Sequence, residues 1–274
     1  MTQNSTDTSH FELHITADTS GKTTLDMLSE KAPLSKQKLK TAMTKGAVWQ
    51  ASPVGTHRIR RAKKIIDKGD VIYLYYDEVI LNTQTEDATL IADEGEYSVW
   101  DKPYGMYSQG SKWGDHCTLY RWVETHLEPE RPAFPVHRLD RAASGLMLMA
   151  HSKKMAKRFS DLFKNRQIQK QYSATVEGKL DELVLPYTLS SPIDDKPALS
   201  RIITVEQSGD KASITIEIET GRKHQIRRHL SAAGYPIVGD RLYGSGKTDE
   251  NLQLRSNYLA FKCPVSGRVK TYSL

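Results

Sequence analysis

The stretch His137-Arg138-Leu139-Asp140-Arg141-Ala142-Ala143-Ser144-Gly145-Leu146-Met147-Leu148-Met149-Ala150 constrains the fold of this chain more than any other. It opens charged, passes through Ser144-Gly145, and closes as an unbroken apolar run that stops at His151-Ser152. A short apolar run between turn residues reads as a buried strand. The charged half then lies on a loop at the strand's edge, held in place by a rigid element. Asp140 sits between Arg138 and Arg141, and neighbouring cations keep a carboxylate ionised. The same residues also fit an Arg-Asp-Arg surface pair ahead of a core strand, because structural ion pairs are common.

Around this stretch the chain reads as mixed α and β. The first ten residues have the composition of a frayed tail. Phe11 to Ile15 alternates like a strand. Thr24 to Leu28 and Ser35 to Met43 read as helices, the second capped by Ser35 and stopped by Gly46. Ala47-Val48-Trp49 and Val71 to Tyr76 are strand-like, with a turn at Gly69-Asp70. Further on, Val99-Trp100-Asp101 ends a strand and Lys102-Pro103-Tyr104-Gly105 turns. A helix is expected from Thr118 to His126, and another over Lys153 to Asn165 with Met155, Phe159, Leu162 and Phe163 on one side. Gln171 to Val176 and Ser213 to Ile218 alternate as strands. Without a steady β-α-β alternation, the reading is α+β with a mixed sheet.

Charge divides the chain. Lys36, Lys38, Lys40, Lys45, Arg58, Arg60, Arg61, Lys63, Lys64 and Lys68 crowd positions 35 to 70, opposed only by Asp67 and Asp70. A small α/β unit with such a face suits docking on phosphates, though a lysine run is also an ordinary solvated helix face. Residues 77 to 95 are acidic and polar, which marks a boundary. The expected organisation is a tail at 1–19, a basic module at 20–80, a linker at 81–95 and a main domain at 96–274. The net charge of +6 favours a polyanionic partner. No apolar run approaches the roughly 20 residues that span a bilayer, and no secretory signal is visible. Cys117 and Cys263 lie far apart, without a metal-type spacing, so a reduced, cytoplasmic setting is expected.

Several familiar motifs fail on spacing. Gly21-Lys22-Thr23 and Gly244-Ser245-Gly246-Lys247-Thr248 invite a phosphate-loop reading, but the required leading glycine is replaced by Thr16 and by Arg241. Both read as turns. His224 and His229 do not share a face in the zinc-protease manner, and no nucleophile elbow occurs. Thr220-Gly221-Arg222-Lys223-His224-Gln225-Ile226-Arg227-Arg228-His229-Leu230 is more telling. A glycine turn leads into a cation-rich helix start, which can hold a phosphate or neutralise a carboxylate from elsewhere. A basic surface helix is the plainer alternative.

Five short motifs, in order, resemble the RluA-like pseudouridine synthases: Lys102 to Gly105; His137 to Asp140 with Ser144-Gly145-Leu146; Lys170-Gln171-Tyr172-Ser173-Ala174; Thr220-Gly221-Arg222 with His224 to Arg227; and Gly234 to Gly244. The resemblance implies a pseudouridine synthase fold, with a largely antiparallel mixed sheet, and the isomerisation of uridine in RNA. It implies Asp140 as nucleophile, Tyr172 packed on the target base and Arg227 paired with the aspartate. It further implies Arg138 filling the gap left by the extruded nucleotide and Leu254 lining the pocket. His137, Arg222, Lys223 and His224 join them as substrate-binding candidates. Extruding a base costs a few kcal/mol, so a guanidinium to fill the gap and an aromatic platform suit the task. Ala143 replaces a usual threonine, Arg255-Ser256 a usual His-Ala, and Met106 to Gln109 departs from a usual Val-His-Pro.

The basic module loosely resembles the alpha-L RNA-binding domain, with Trp49-Gln50-Ala51 replacing its usual Val-Asn-Gly. Lys36, Lys38, Lys40, Arg58, Arg60 and Arg61 are its candidate RNA contacts. The partner expected is RNA, ribosomal ahead of transfer RNA, with no metal, no organic cofactor, no membrane and no obligate protein partner, and the chain is expected to be a monomer. Two other classes compete: a non-catalytic RNA-binding protein on the same fold, and a hydrolase using Asp140 and His137.

Overall fold

The computed structural model describes residues 8–244 and 249–274 and divides into two compact units. One holds the N-terminal residues to Gln84 together with Gln109–Trp122; the other holds Thr85–Ser108 and Val123–Leu274. The tail reading for residues 1–7 and the turn reading for Ser245 to Thr248 lie outside the described residues.

In the first unit the chain runs β1 (His10–Thr16), α1 (Thr24–Lys31), α2 (Lys36–Thr44), β2 (Val48–Ser52), β3 (Gly55–Arg58), β4 (Val71–Asp77) and α3 (Glu78–Asn82). The segment 109–122 adds the first half of α4 (Leu119–His126). Thr23 and Ser35 cap α1 and α2 by accepting from the Asp26 and Lys38 amides, at 3.2 Å each. The antiparallel sheet has the order β1-β4-β2-β3. Period-two alternation sends Ile72, Leu74, Tyr76 and Val48 into a core with Leu28, Leu39 and Met43 of the helices. Gly46 ends α2 at φ +81°, and a Cβ there would lie 2.3 Å from an Asp115 carboxylate oxygen.

The second unit is built on a ten-stranded sheet: β5 (Thr89–Asp93), β6 (Tyr97–Lys102), β7 (Phe134–Pro135), β8 (Ser144–Ala150), β9 (Ile168–Glu177), β10 (Tyr187–Leu189), β11 (Ser200–Ser208), β12 (Lys211–Ile218), β13 (Leu254–Lys262) and β14 (Val269–Ser273). Its order is β10-β11-β12-β9-β13-β8-β6-β5, with β14 on β13 and β7 on β8. Among the described residues every pairing is antiparallel except β8 with β13. The α+β class with a mixed, mostly antiparallel sheet is therefore observed. Helices α5 (Lys153–Lys164) and α6 (Gln225–Ala232) complete the unit. The apolar run from Leu146 to Ala150 is fully buried in β8, and Leu146, Leu148 and Ala150 pack with Met155 and Phe159 of α5 and Phe261 of β13. That burial is the main reason for the rigidity behind the Asp140 loop.

Three expected boundaries move. His10–Thr16 pairs with β4 along its whole length, so these residues are a sheet strand rather than part of a tail ending at 19. Thr89–Asp93 pairs with β6, so the acidic stretch 81–95 is in part an edge strand rather than a linker. Residues 109–122 cluster with the N-terminal residues, so the second unit is interrupted and is not the continuous 96–274. The acidic residues lie mostly to either side of this exposed edge strand and do not break the sheet.

Candidate active site

The sheet order places the candidate residues together. β8, β13 and β9 are neighbours, so the loop entering β8 brings Asp140 beside Leu254 at the start of β13 and Tyr172 on β9. Ser256 pairs with both Gly145 and Tyr172. Gly145 has φ +108°, and a Cβ on it would meet the Ser256 carbonyl oxygen at 2.2 Å. Only glycine lets the two strands approach this closely where the loop ends.

Two clamps fix the loop. The Ser108 hydroxyl donates to the Leu139 carbonyl at 2.7 Å and accepts from the Leu139 amide at 3.0 Å. The Gly105 amide donates to the Arg141 carbonyl at 2.9 Å, and the Arg141 side chain returns a bond to the Gly105 carbonyl at 3.2 Å. Below them Lys102, fully buried, donates to the carbonyls of Met106 and Pro103. Burial lowers its ammonium to about 7, against the opposing pull of Asp140 and Asp101. Ser108 lies in the Met106–Gln109 stretch that departs from the resemblance, and no spacing signalled its role.

Asp140 faces Arg227 of α6, at 3.3 Å, and His224, at 3.7 Å. This corrects the expectation that Arg138 and Arg141 supply its counter-charge. Arg141 turns away to Gly105 and the Tyr107 ring, while exposed Arg138 lines the pocket edge. Arg227 is itself held from behind: its Nε and Nη2 donate to the Asp240 carboxylate at 2.8 and 2.7 Å. Asp240 is 2% exposed and also accepts from the Leu242 and Tyr243 amides. Burial pushes Asp240 up, but Arg227 and these amides outweigh it and hold the carboxyl below its usual range. Burial also opposes the Arg227 charge, yet the two carboxylates leave its pKa raised. Asp240, within the Gly234–Gly244 motif, is thus the residue that orients the cation, a role the sequence reading missed.

Gln225 builds the helix start. Its carbonyl accepts from Thr220 Oγ1 and the Arg222 amide, and its Nε2 donates to the Leu199 carbonyl and Ser200 Oγ. His224 takes a left-handed backbone, φ +55°, and bonds through Nδ1 to the Tyr243 hydroxyl at 2.9 Å. Its burial lowers its pKa against the pull of Asp140.

These groups surround a cavity of about 320 Å³, lined by Arg138, Asp140, Ala143, Tyr172, Ile218, Arg222, Lys223, His224, Arg227 and Leu254 among others. Tyr172 is 8% exposed, and burial, with the Asp140 charge, pushes its phenol up to about 12. It is a neutral, apolar wall at physiological pH. A second cavity of about 460 Å³ shares Arg138, Tyr172 and Arg222 with the first and adds Lys164, Arg166 and Lys170. A flat, anionic-backboned ligand fits this combination of an aromatic wall, an Arg227-paired carboxylate and a rim of cations.

Two expectations need correction. The His137 ring accepts the Leu148 amide at 2.9 Å and stacks on Phe163. Burial pushes its pKa down to about 3, so it is a neutral anchor of β8, although its edge reaches the second cavity. Arg58 and Arg60, expected to meet RNA phosphates, both pair with the Asp115 carboxylate, whose side chain is fully buried. Arg58 also donates to the Gly46 carbonyl and the Tyr120 hydroxyl. These guanidiniums neutralise a buried charge and brace the first unit. Lys36, Lys40 and Arg61 remain exposed, Lys36 with Asp26 at 3.7 Å, and Lys38 pairs with Glu78 across 3.1 Å.

Comparison with known proteins gives the family. The sequence profile of the RNA pseudouridylate synthase family matches residues 96–232, half of the chain, and the protein belongs to that family. It is 32% identical over 175 residues to an RNA pseudouridine synthase of Chloroflexus aurantiacus, covering 58% of this chain and 54% of that one. It is 32% identical over 171 residues to tRNA pseudouridine synthase C of Pectobacterium carotovorum, covering 50% and 46%. An RNA pseudouridine synthase of Bacillus subtilis is 28% identical over 227 residues, 74% of this chain and 79% of that one. The chain thus spans about half the length of the first two relatives. Among solved structures, human RNA pseudouridylate synthase domain containing 1 shares the fold, with a TM-score of 0.59 and 23% identity over 70% of this chain and 84% of that one.

Proposed function

We propose that this protein converts specific uridines of a structured RNA to pseudouridine in the cavity around Asp140. The observation that carries the proposal is the arrangement of Asp140 against Arg227, with Tyr172 and Leu254 forming an apolar wall on the same cavity. In the reaction the glycosidic C1′–N1 bond breaks, a C1′–C5 bond forms, the C5 proton leaves to solvent, and N1 takes up a proton from solvent, so the mass is unchanged. Asp140 is the nucleophile. Arg227, fixed by Asp240, keeps it ionised as the arriving base excludes water. Tyr172 packs on the flipped base, and Arg138 at the rim fills the gap in the RNA. Arg222 and Lys223 meet the adjoining phosphates, with Lys164 and Arg166 extending the cationic track.

The substrate proposed is ribosomal RNA, because the exposed Lys36, Lys40 and Arg61 of the first unit give a second phosphate-binding face suited to a large folded RNA. Transfer RNA is the other reading, favoured by the likeness to a relative named for it. Mapping pseudouridines across total RNA from cells lacking the gene separates them. A lost site in ribosomal RNA, restored by the wild-type gene but not by Asp140→Asn, is the expected result. A lost site in transfer RNA alone would overturn the substrate, and restoration by Asp140→Asn would overturn the mechanism.

A further inference from the structure

The open face of the first unit's sheet is the strongest feature that the proposed chemistry leaves unused. Residues facing α1 and α2 form the core. On the opposite face β4 presents Tyr73 and Tyr75, whose rings are parallel with centroids 6.1 Å apart. The register sets His14 and Trp49 on either side of Tyr73, and the His14 ring meets Tyr73 edge-on at 4.8 Å. Trp113 packs edge-on to Tyr75 at 5.8 Å and stacks on His10 at 4.4 Å. Two cations lie over these rings: Lys112 is 4.7 Å from the Tyr75 centroid, and Arg58 is 4.1 Å from that of Trp49. His10, His14 and Lys112 are exposed, and Tyr73, Tyr75 and Trp113 are half-buried.

We infer that this face binds unpaired RNA nucleotides by stacking, as a second RNA surface distinct from the lysines of α2. Aromatic rings in a row, with exposed Lys112, His10 and His14 beside them, suit successive bases and their phosphates, and the chain as a whole carries a charge of +6. The carboxylates on the face, Glu12 and Asp77, are matched by Lys112 and His10 respectively, so the row is not an anionic surface. A purely apolar partner fits less well, since every ring here carries a polar group, the Trp49 Nε1 already donating to the Lys112 carbonyl. The inference rests on the reading that the chain acts on RNA, but not on the Asp140 chemistry.

The test uses the full chain and fluorescence anisotropy with a labelled oligouridine of twelve nucleotides and a twelve-base-pair RNA duplex, at fixed salt. Replacing both Tyr73 and Tyr75 by alanine should weaken oligouridine binding at least tenfold, since each stacked base contributes roughly 1–3 kcal/mol, a factor of about ten or more. Duplex binding should change less than about twofold. The double phenylalanine variant keeps the rings and should bind within about threefold of wild type, which separates stacking from a folding defect. Unchanged oligouridine affinity in the alanine variant, or equal loss in the phenylalanine variant, would overturn the inference and leave the proposed catalytic function untouched.

Discussion

Replacing Arg227 by methionine tests whether the candidate site depends on the Asp240–Arg227–Asp140 chain of charges. The substitution preserves much of the aliphatic volume and removes the guanidinium. It leaves Asp240 buried with the two backbone amides of Leu242 and Tyr243 as donors, and Asp140 with His224 as its remaining ion-pair partner among the described residues. Breaking a buried pair from one side costs about 3–5 kcal/mol, because the remaining charge is uncompensated. That should appear as a lower urea midpoint, read by circular dichroism. Adding Asp240→Leu to the methionine variant removes the orphaned carboxylate and should recover most of that loss, while RNA conversion stays absent. A double-mutant cycle should give a coupling of about 2 kcal/mol or more. A coupling near zero, or an active double variant, would refute the idea that Asp240 acts through Arg227.

Three other outcomes follow from the geometry. Gly145→Ala combines a left-handed backbone, disfavoured by about 1–2 kcal/mol for other residues, with a Cβ driven into the Ser256 carbonyl; a total loss of about 3 kcal/mol or more is expected by urea unfolding, and a loss below about 1 would contradict the close strand approach. Lys102 has its pKa lowered to about 7 from 10.5, so between these values the unfolded chain holds a proton that the folded chain lacks, and stability rises with pH. Unfolding midpoints of wild type and Lys102→Met at pH 7.5 and 9.5 should diverge with a wild-type slope steeper by up to about 1.4 kcal/mol per pH unit; parallel slopes would mean the lysine is charged when buried. Tyr172→Phe should fold like wild type and retain RNA binding within about threefold, because its ring forms the cavity wall, whereas Tyr172→Ala should lose at least tenfold, by anisotropy with an RNA carrying the target uridine.

Strands β1, β2, β4, β6, β8, β9 and β12 and the cation-rich helix were legible because their signals are local, whereas β11 and β13, the latter beside the Asp140 loop, were not read. The apolar run after Gly145 has only one comfortable environment, and it sits in the centre of the sheet. Ser35 before α2 and the alternation of β4 and β9 follow short-range rules that tertiary structure did not override. What escaped the sequence depends on distance. Arg58 and Arg60 looked like phosphate contacts because their partner, Asp115, lies about half a hundred residues away in the chain. Asp240 could not be tied to Arg227, nor Ser108 to Leu139, without the fold that brings them together. His137 looked reactive beside Asp140, but its ring turns into the core to meet the Leu148 amide. The edge strand at Thr89–Asp93 was hidden by the acidic residues that flank it, Glu86 and Asp87 before it and Glu94 and Glu96 after it.

The central claim is that Asp140 in its Arg227-braced cavity isomerises uridine. The most direct measurement incubates the purified protein, without added cofactor, with RNA from cells lacking the gene, and follows nuclease digestion by chromatography and mass spectrometry. The account predicts a pseudouridine of unchanged mass at a defined position with wild type, and none with Asp140→Asn, although that variant still binds the RNA. Pseudouridine formed by the Asp140→Asn protein, or release of free uracil by wild type, would contradict it.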